Sequence, residues 1–443
     1  MSNLFSASMP SLQELGSYEV AVVGAGPAGI AAAVAASRLG AKTILVESYG
    51  YPGGTAVHAN VPNILGFARN DRQIVGGIAD EFARQLAEQG RTSDGYPDSR
   101  SRITRPVRTT VHALRVVANS FLREAGVTLL YYTRLIGGIT EDARITALVV
   151  DCAEGPRLIR ARSFVDATGD AHLIHRCGGA TREASPEESM TKTMIVTMGG
   201  VRDFNRDSAA ALFARFARSG SVPFTEQTRF MAYRLVNPGE VAINFTLESG
   251  DGLRSADLTR MDVSLRDQID ITIGWFRKNF PGFEDAFLAD SSIQVGVRSG
   301  RVIVGRETIS QADIDNDTPV AQPIAIGVRY YGDHGLSEFR SPWAQNHNAA
   351  RSIPWRTLLP VSFDNVAAAG RCISVEPRVV TCVRLIAQCM ATGQAAGTNA
   401  ALAAEADVGF EDVGYDALRD LLSGQAAILS VETQVETPER ADG

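Results

Sequence analysis

The hydrophobic pattern near the N-terminus predicts a strand, a helix and a second strand in close succession. Tyr18–Val23 is an apolar, β-branched run of strand length. Ile30–Leu39 is rich in alanine and is followed by Gly40, so we expect a helix that ends there. Lys42–Val46 is a second apolar run, and it leads directly into the acidic residue Glu47.

Strand and helix patterns recur further along the chain. Val111–Ala125 has the apolar spacing of a helix, and Val127–Tyr132 follows as a strand. Two alternating runs, Ile145–Val150 and Arg157–Phe164, predict a hairpin. Two further strands are predicted, Arg162–Asp170, which ends in Ala-Thr-Gly-Asp, and Val366–Arg371, which ends in Gly-Arg. The last predicted element is a long helix of small residues from Cys389 to about Ala404.

Residues 183–349 have a different pattern. Apolar residues alternate over three runs, which is typical of antiparallel strands, and two stretches between the runs have helical spacing. The strands are expected at Thr193–Met198, Met231–Leu235 and Val241–Leu247, and the helices at Ser208–Ala217 and Val263–Asn279.

Composition narrows the class of protein. The chain has 443 residues, 45% of them hydrophobic, which is enough for two or three domains. The net charge of −7 disfavours a protein that binds nucleic acid by neutralising phosphates. We expect no membrane span, because the longest small-apolar run, Ala28–Ala36, is too short to cross a bilayer. We expect no signal peptide, because Met1–Gly16 has no basic start followed by an apolar block. The chain has five cysteines, an odd number, and no two of them have C-x-x-C spacing. This argues against a disulfide framework and favours free thiols in a reducing cytoplasm.

A glycine motif joins the first predicted strand to the first predicted helix. Gly24 permits a tight turn, Gly26 lets backbone approach a pyrophosphate, and Gly29 lets the helix pack close to the strand. The helix N-terminus offers N–H donors to the phosphates. Glu47, at the end of the second strand, can accept hydrogen bonds from both ribose hydroxyls. Strand, motif, helix, strand and acid together predict a dinucleotide site rather than an ordinary glycine-rich turn.

The loop after Glu47 bears on which dinucleotide is bound. Ser48–Thr55 reads SYGYPGGT, and Gly53-Gly54-Thr55 can supply extra backbone donors along the pyrophosphate and ribityl chain of a flavin. A simple NAD domain usually continues into another helix–strand unit at this point. The alternative is a surface turn built on Pro52-Gly53.

The chain resembles the FAD-dependent oxidoreductases with a glutathione-reductase-type FAD domain. Among them it is most similar to the broad bacterial group called simply FAD-dependent oxidoreductases. The resemblance spans about Tyr18 to Ala404 and rests on VVGAGPAG with Glu47, PGGTA, DATGD, and LLPVSFDNVAAAGRCIS followed by CMATGQAAGTNAALA. With the patterns above, it implies an α/β fold. A Rossmann-type, glutathione-reductase-like FAD-binding domain (18–182 and 350–405) would contain an inserted α+β substrate domain of mostly antiparallel sheet (183–349). A C-terminal helix and a disordered tail would follow (406–443).

The resemblance also implies which residues hold FAD. Glu47 would hold the AMP ribose, and the Gly-Gly loop and Ala-Thr-Gly strand end would hold the diphosphate and neighbouring backbone. Many relatives have Gly-Asp where this chain has Gly370-Arg371, so Arg371 is expected to pair with phosphate instead. Met390–Gln394 are expected at a helix N-terminus facing the flavin N1–C2=O edge, where a helix dipole stabilises the reduced anion. The full expected set is Gly24, Gly26, Pro27, Ala28, Gly29, Glu47, Ser48, Gly53, Gly54, Thr55, Leu135, Thr168, Gly169, Asp170, Gly370, Arg371, Met390, Ala391, Gly393 and Gln394.

Three residues are the catalytic candidates: His58, Arg301 and His334. Relatives place the segment around His58 alongside the isoalloxazine, so His58 is a base, a substrate donor, a nucleophile linked to the flavin 8α-methyl, or simply a hydrogen-bonded loop histidine. Relatives have an arginine at the position of Arg301, where a guanidinium can face a carboxylate or the reduced flavin. His334 lies just before the chain returns to the FAD domain, as does His347; both also have a purely structural interpretation.

Two further groups of residues have weaker signals. Arg378 and Arg384 flank the loop before the last predicted helix, where they either bind an acidic substrate or are surface charges. His172 and His175 have the look of a metal pair, but no further ligand completes a set, so we expect no metal.

We therefore expect an FAD-dependent dehydrogenase or oxidase that oxidises a small polar molecule by hydride transfer to flavin N5. The electrons would pass to oxygen or a redox carrier. The alternative is a flavin monooxygenase or reductase fed by NAD(P)H; the single dinucleotide motif argues against a separate NAD(P)H domain, although some monooxygenases bind NADPH without one. A third interpretation is a structural subunit that binds FAD for stability, for which the glycine loop and flavin-edge helix are more elaborate than needed.

Overall fold

Residues 12–69, 72–92, 107–185, 188–218, 230–328 and 350–431 are described by the structure, a computed structural model of the chain. Two of the histidines singled out above, His334 and His347, lie outside the described residues, as does the expected tail beyond residue 431.

The elements of the described residues are given by their ranges. The strands are β1 (Glu14–Val23), β2 (Thr43–Val46), β3 (Asn63–Ile64), β4 (Ala68–Arg69), β5 (Arg72–Gln73), β6 (Val107–Arg108), β7 (Thr128–Leu130), β8 (Arg134–Glu141), β9 (Arg144–Cys152), β10 (Gly155–Asp166), β11 (Thr181–Glu183), β12 (Ile195–Gly199), β13 (Met231–Arg234), β14 (Val241–Asn244), β15 (Phe287–Ser291), β16 (Arg301–Ile303), β17 (Pro323–Val328), β18 (Ala350–Pro354) and β19 (Val366–Ala368). The helices are α1 (Pro27–Arg38), α2 (Gly54–His58), α3 (Gly77–Glu88), α4 (Val111–Glu124), α5 (His172–Arg176), α6 (Arg206–Arg218), α7 (Ser255–Asn279), α8 (Gln311–Asp315), α9 (Val380–Val383), α10 (Ile386–Ala406) and α11 (Tyr415–Gly424).

The larger sheet is parallel in its central part. Strands β7, β2, β1 and β10 lie side by side in that order, and β19 pairs in parallel with the end of β10. The first half of β10 pairs with β9, and β9 pairs with β8, both antiparallel. The predicted strand–helix–strand unit and the predicted hairpin are thus confirmed. Because the carboxyl ends of parallel strands meet at one edge, the loops after β1, β2, β10 and β19 converge there.

The core of this part of the molecule is packed through small residues. Strand β1 is fully buried over Val20–Val22, and α1 is buried from Ala28 to Ala36. Helix α10 packs directly on α1: a Cβ added to Gly393 would lie 2.1 Å from the carbonyl oxygen of Ala28. The alanine- and glycine-rich composition of both helices therefore follows from how closely their backbones approach.

A second, antiparallel sheet has its own hydrophobic core. Its strands lie in the order β13-β14-β12-β15, and α6 and α7 contribute aromatic residues such as Phe213 and Phe276 to the core. The antiparallel strands predicted in this region are confirmed. Helix α7 begins at Ser255, earlier than the predicted Val263. The sequence pattern did not show this start, because the first two turns are mostly polar and have no side-chain cap.

The region 183–349 also contributes to the first core. Ile324 and Ile326 of β17 are buried in the same hydrophobic cluster as β1 and α1, as is Ile353 of β18, the strand that pairs with β17.

Across the described part of the chain, no single helix has the length and apolar character needed to cross a membrane. Pro377–Val383 and Ile386–Ala406 have that length and character only when taken together, and the pair is bent by 89°.

Candidate active site

The glycine motif makes the closest contacts at the edge of the larger sheet. Gly24 has φ +95°, and a Cβ there would lie 2.7 Å from the carbonyl oxygen of Ala167, at the end of β10. A Cβ on Gly29 would lie 1.8 Å from the carbonyl oxygen of Gly24. A Cβ on Gly26, by contrast, would have no atom nearer than the Cα of Gly54 at 3.8 Å, an ordinary contact distance. Two glycines are therefore required by packing and the third leaves the backbone accessible, as the motif predicts.

The Gly-Gly loop closes onto this motif. The N–H of Gly53 donates to the carbonyl of Ala25 at 2.7 Å, and Gly54, with φ +51°, approaches the Cα of Gly26 so closely that a Cβ would lie 2.6 Å from it. Pro52 and Gly53 are buried, which contradicts the interpretation as a surface turn. Thr55 is exposed in the first turn of α2.

Glu47 is fixed beside the same turn. Its carboxylate is buried and accepts hydrogen bonds from the N–H of Ala25 (2.7 Å), the N–H of Tyr49 (2.9 Å) and the hydroxyl of Ser48 (2.9 Å). A carboxylate has about four acceptor positions, so about one remains for a ribose hydroxyl unless Ser48 moves aside.

Asp166 organises the end of β10, although sequence reasoning did not select it. Its buried carboxylate accepts from the N–H (3.1 Å) and the hydroxyl (2.7 Å) of Thr168, and from the N–H of Ile174 (3.0 Å). The aspartate that opens the DATGD motif was the available signal. Its hydrogen bonds fix the turn that places Gly169 and Asp170 at the sheet edge.

Arg371 pairs with Asp170 in this structure, through two hydrogen bonds of 2.5 and 2.8 Å. The expected partner was a phosphate, which stays a prediction for the loaded protein. Gly370 just before it has φ +81°, and its N–H donates to the hydroxyl of Thr392 at 3.1 Å. The end of β19 is thereby tied to α10.

Helix α10 begins at Ile386, one turn before the predicted start, so Met390–Gln394 are not at its N-terminus. Met390 is buried in the core, Gly393 packs on Ala28, and only Ala391 is partly exposed. The amide of Gln394 accepts from the N–H of Ile78 (3.0 Å) and donates to Gln425 (3.0 Å). No side chain caps this helix, so the sequence has no start signal there. Contact of these residues with FAD stays a prediction.

His58 ends α2 inside an aromatic cluster. Its ring centroid lies 3.7 Å from that of Tyr49 and 5.5 Å from that of Tyr51. Nε2 is buried and has no hydrogen-bond partner among the described residues. Burial, and secondly the charge of Arg115, lowers the pKa of His58 to about 4. At neutral pH the imidazole is therefore an uncharged acceptor and a weak base.

We expect His58 to make the protein acid-sensitive. Because its pKa falls from 6.5 in the unfolded chain to about 4 in the folded protein, the unfolded state binds the proton more tightly. The contribution to the free energy of unfolding is complete above pH 6.5 and is lost towards pH 4, by about 3 kcal/mol. In urea unfolding at pH 7 and pH 4, His58→Phe should show a smaller acid loss than the wild type. His112→Gln, a change at an exposed histidine, should follow the wild type; equal losses in all three proteins would contradict the prediction.

Arg301 is engaged in a cross-strand ion pair. Its buried guanidinium donates to Glu183 at 2.8 Å, across the β11–β16 pair, and to the carbonyl of Asp170 at 3.3 Å. The pair satisfies a charge that would otherwise be buried alone. A catalytic role for Arg301 stays a prediction that this geometry does not favour.

Two cations near the site were not selected from the sequence: Arg298 and Lys192. Arg298 is three residues before Arg301, on the segment that connects β15 with β16. Lys192 is fully buried just before β12, in an isolated bridge with Glu248. Their juxtaposition depends on pairing between residues about a hundred positions apart, so no local pattern shows it. In the described ranges, no group of three or more His, Cys, Asp or Glu is placed to hold a metal ion.

Comparison with known proteins places the chain in a family. The family model described as FAD dependent oxidoreductase matches residues 19–422. A thioredoxin reductase from Ureaplasma parvum serovar 3 is 52% identical over 50 residues, which are 11% of this chain and only 16% of that enzyme.

Solved structures that are similar to this chain are distant from it in sequence. A geranylgeranyl bacteriochlorophyll reductase-like protein from Thermoplasma acidophilum aligns with a TM-score of 0.51 and 14% identity, over 92% of this chain and 83% of that chain. A triple mutant of a flavin-dependent brominase aligns with a TM-score of 0.48 and 13% identity, over 92% and 86%. At 14% identity, the likeness to the Thermoplasma acidophilum protein is one of fold.

Proposed function

The chain belongs to the FAD-dependent oxidoreductase family, and from that premise we propose that it is a dehydrogenase or oxidase that takes a hydride from a small polar molecule. FAD is its cofactor, as the sequence motifs predict. One observation supports the dehydrogenase over the alternative fed by NAD(P)H. The sequence contains one strand–Gly-x-Gly-x-x-Gly–helix motif, which is taken up by FAD, so no second motif is present for a separate NAD(P)H domain.

The residues at the sheet edge fit FAD. Helix α1 begins at Pro27 without a side-chain cap and without an acid in its first turn, so its N-terminal N–H groups and dipole can face a diphosphate. The accessible backbone at Gly26 and the fixed carboxylate of Glu47 match a pyrophosphate and an adenosine ribose. When bound, FAD supplies a two-electron acceptor at N5.

The arrangement of the two sheets supports a glutathione-reductase-type FAD domain with an inserted substrate domain. The parallel strands with the antiparallel β8–β10 unit would form the first, and β12–β15 with α6 and α7 the second. We place the return to the FAD domain earlier than residue 350, because β17 packs in the first core. We also propose a cytoplasmic location, on the grounds that all five cysteines are free thiols.

The chain's own residues would orient the substrate rather than perform much covalent chemistry. His58, uncharged at neutral pH, can accept a hydrogen bond from a substrate O–H or N–H through Nε2. Because its pKa is near 4, we do not expect it to be the dominant proton acceptor at neutral pH.

We expect substrate alone to bleach the yellow oxidised protein. Purified protein would be mixed anaerobically, without NAD(P)H, with a panel of small alcohols, hydroxy acids and amino acids while flavin absorbance is followed. Heat-released flavin should be FAD rather than FMN. Bleaching by NAD(P)H alone, with no compound of the panel active without it, would favour the monooxygenase or reductase and contradict the proposal.

A further inference from the structure

The segment 293–301 connects β15 with β16 and passes along the candidate site. At its start, the N–H of Ile293 donates to the carbonyl of His58 at 2.9 Å. In its middle, a Cβ on Gly296 would lie 3.0 Å from the Cβ of Ala59, which follows His58. At its end, a Cβ on Gly300 would lie 2.2 Å from the carboxylate of Asp170. The segment thus runs from the Gly-Gly loop helix to the end of β10, and Arg298 lies on it.

Arg298 has hydrogen-bond partners but no counter-ion. Its guanidinium donates to the carbonyl of Thr191 at 2.7 Å and to the hydroxyl of Thr193 at 2.6 Å, both neutral acceptors. Within the described ranges it forms no pair with a carboxylate. Burial first, and then the charge of Arg384, lowers its pKa, yet a guanidinium stays protonated at neutral pH. Arg384 lies two residues before α10 along the chain.

Lys192, between the two partners of Arg298 along the chain, carries a second charge that interacts electrostatically with Arg298. It is fully buried, and its ammonium donates to the hydroxyl of Ser189 at 2.5 Å and the carbonyl of Gly250 at 2.6 Å. Burial lowers its pKa to about 8; Asp251 and Asp170 raise the pKa, while Arg298 and Arg371 lower it. Lys192 is therefore mostly charged at neutral pH.

Acidic groups compensate these charges incompletely. Asp170 is already bound by Arg371 through both of its oxygens, and Asp251 is itself within 3.4 Å of Arg254. Arg298 is partly buried, and a desolvated cation without a counter-ion is costly unless a ligand supplies the opposite charge. The uncompensated charge is thus concentrated at Arg298.

We propose that Arg298, supported by Lys192, is an anion subsite that binds a carboxylate of the substrate, so that the substrates are small carboxylic acids. Its planar guanidinium already has two hydrogen bonds to the protein, which leaves N–H donors for a carboxylate oxygen. The assignment of the anion to the substrate rests on the proposed function; the anion site itself does not.

The test titrates oxidised, FAD-loaded protein with acetate, lactate and benzoate, and with the matching neutral amides. Binding is followed by perturbation of flavin absorbance and, independently, by isothermal calorimetry. We expect at least one carboxylate to bind and its amide not to bind. Arg298→Met should raise the Kd of that carboxylate about tenfold to hundredfold, and Arg298→Lys should raise it less. Arg260→Met, at an exposed arginine that pairs with Glu248, should leave the Kd unchanged.

Three outcomes would overturn the proposal. They are no binding of any carboxylate, equal binding of acid and amide, and an unchanged Kd in Arg298→Met, or in Arg298→Lys should Arg298→Met fail to fold. A lower flavin potential in Arg298→Lys with unchanged carboxylate binding would instead assign Arg298 to the reduced flavin. Because the titrations need no turnover, they remain informative even where no compound bleaches the flavin, which would count against the proposed function alone.

Discussion

Replacing Gly393 by valine is expected to lower the free energy of unfolding by about 3 kcal/mol or more and to release FAD. A Cβ at this position would lie 2.1 Å from the carbonyl oxygen of Ala28 and 2.8 Å from its Cα. These are backbone atoms, which cannot rotate away as a side chain can, so α10 would have to separate from α1. Ala28 is in the first turn of α1, and displacing that turn disturbs the N–H groups expected to face the diphosphate.

The measurement is urea unfolding with and without added FAD, together with the fraction of flavin retained after gel filtration. The matched control is Gly274→Ala in α7, a helical glycine with no atom within 4 Å of an added Cβ. That change should stabilise the protein by up to about 1 kcal/mol, because alanine favours helix over glycine. If Gly393→Val unfolded at the same urea concentration as the wild type, the close packing of the two helices would not be the reason for glycine.

The parts of the site that sequence predicts well are those fixed by local steric requirements. Gly24 and Gly29 are required because backbone atoms approach within distances that exclude a Cβ, and such a requirement recurs wherever the same turn is built. Strand and helix periodicity likewise reflects which face is buried, so the β1–α1–β2 unit and the β9–β10 hairpin follow from the pattern.

The remainder depends on contacts between distant parts of the chain. The start of α10 could not be predicted, since Leu385 offers no capping side chain and the preceding residues have no stop signal. Arg298 meets Thr191 through a link of 107 residues, and Arg371 meets Asp170 through one of 201. A charged residue next to a glycine motif has the same local sequence whether it binds a ligand or another side chain. Only the folded structure distinguishes the two.

The Arg371–Asp170 pair supports a second large effect. Both side chains are mostly buried, with 14% and 10% of their surface exposed. Asp170→Ala should cost about 3–5 kcal/mol, because it leaves a buried guanidinium without its partner. The double change Asp170→Leu with Arg371→Met should cost less than Asp170→Ala alone, since no charge is then left buried. Equal losses in the single and double variants, measured by urea unfolding without FAD, would contradict this account of the pair.

The same variants test whether Arg371 turns to phosphate when FAD binds. If it does, FAD supplies in Asp170→Ala the negative charge that the mutation removed, and tighter binding stabilises the folded protein more, as the logarithm of the affinity. We therefore expect saturating FAD to raise the unfolding temperature more in Asp170→Ala than in the wild type, and less in Arg371→Met than in either. Arg84→Met, which breaks the ion pair between Arg84 and Asp80 within α3, should respond to FAD as the wild type does. An increase in Asp170→Ala no larger than in Arg371→Met would leave Asp170 as the lasting partner of Arg371 and exclude a phosphate contact from this residue.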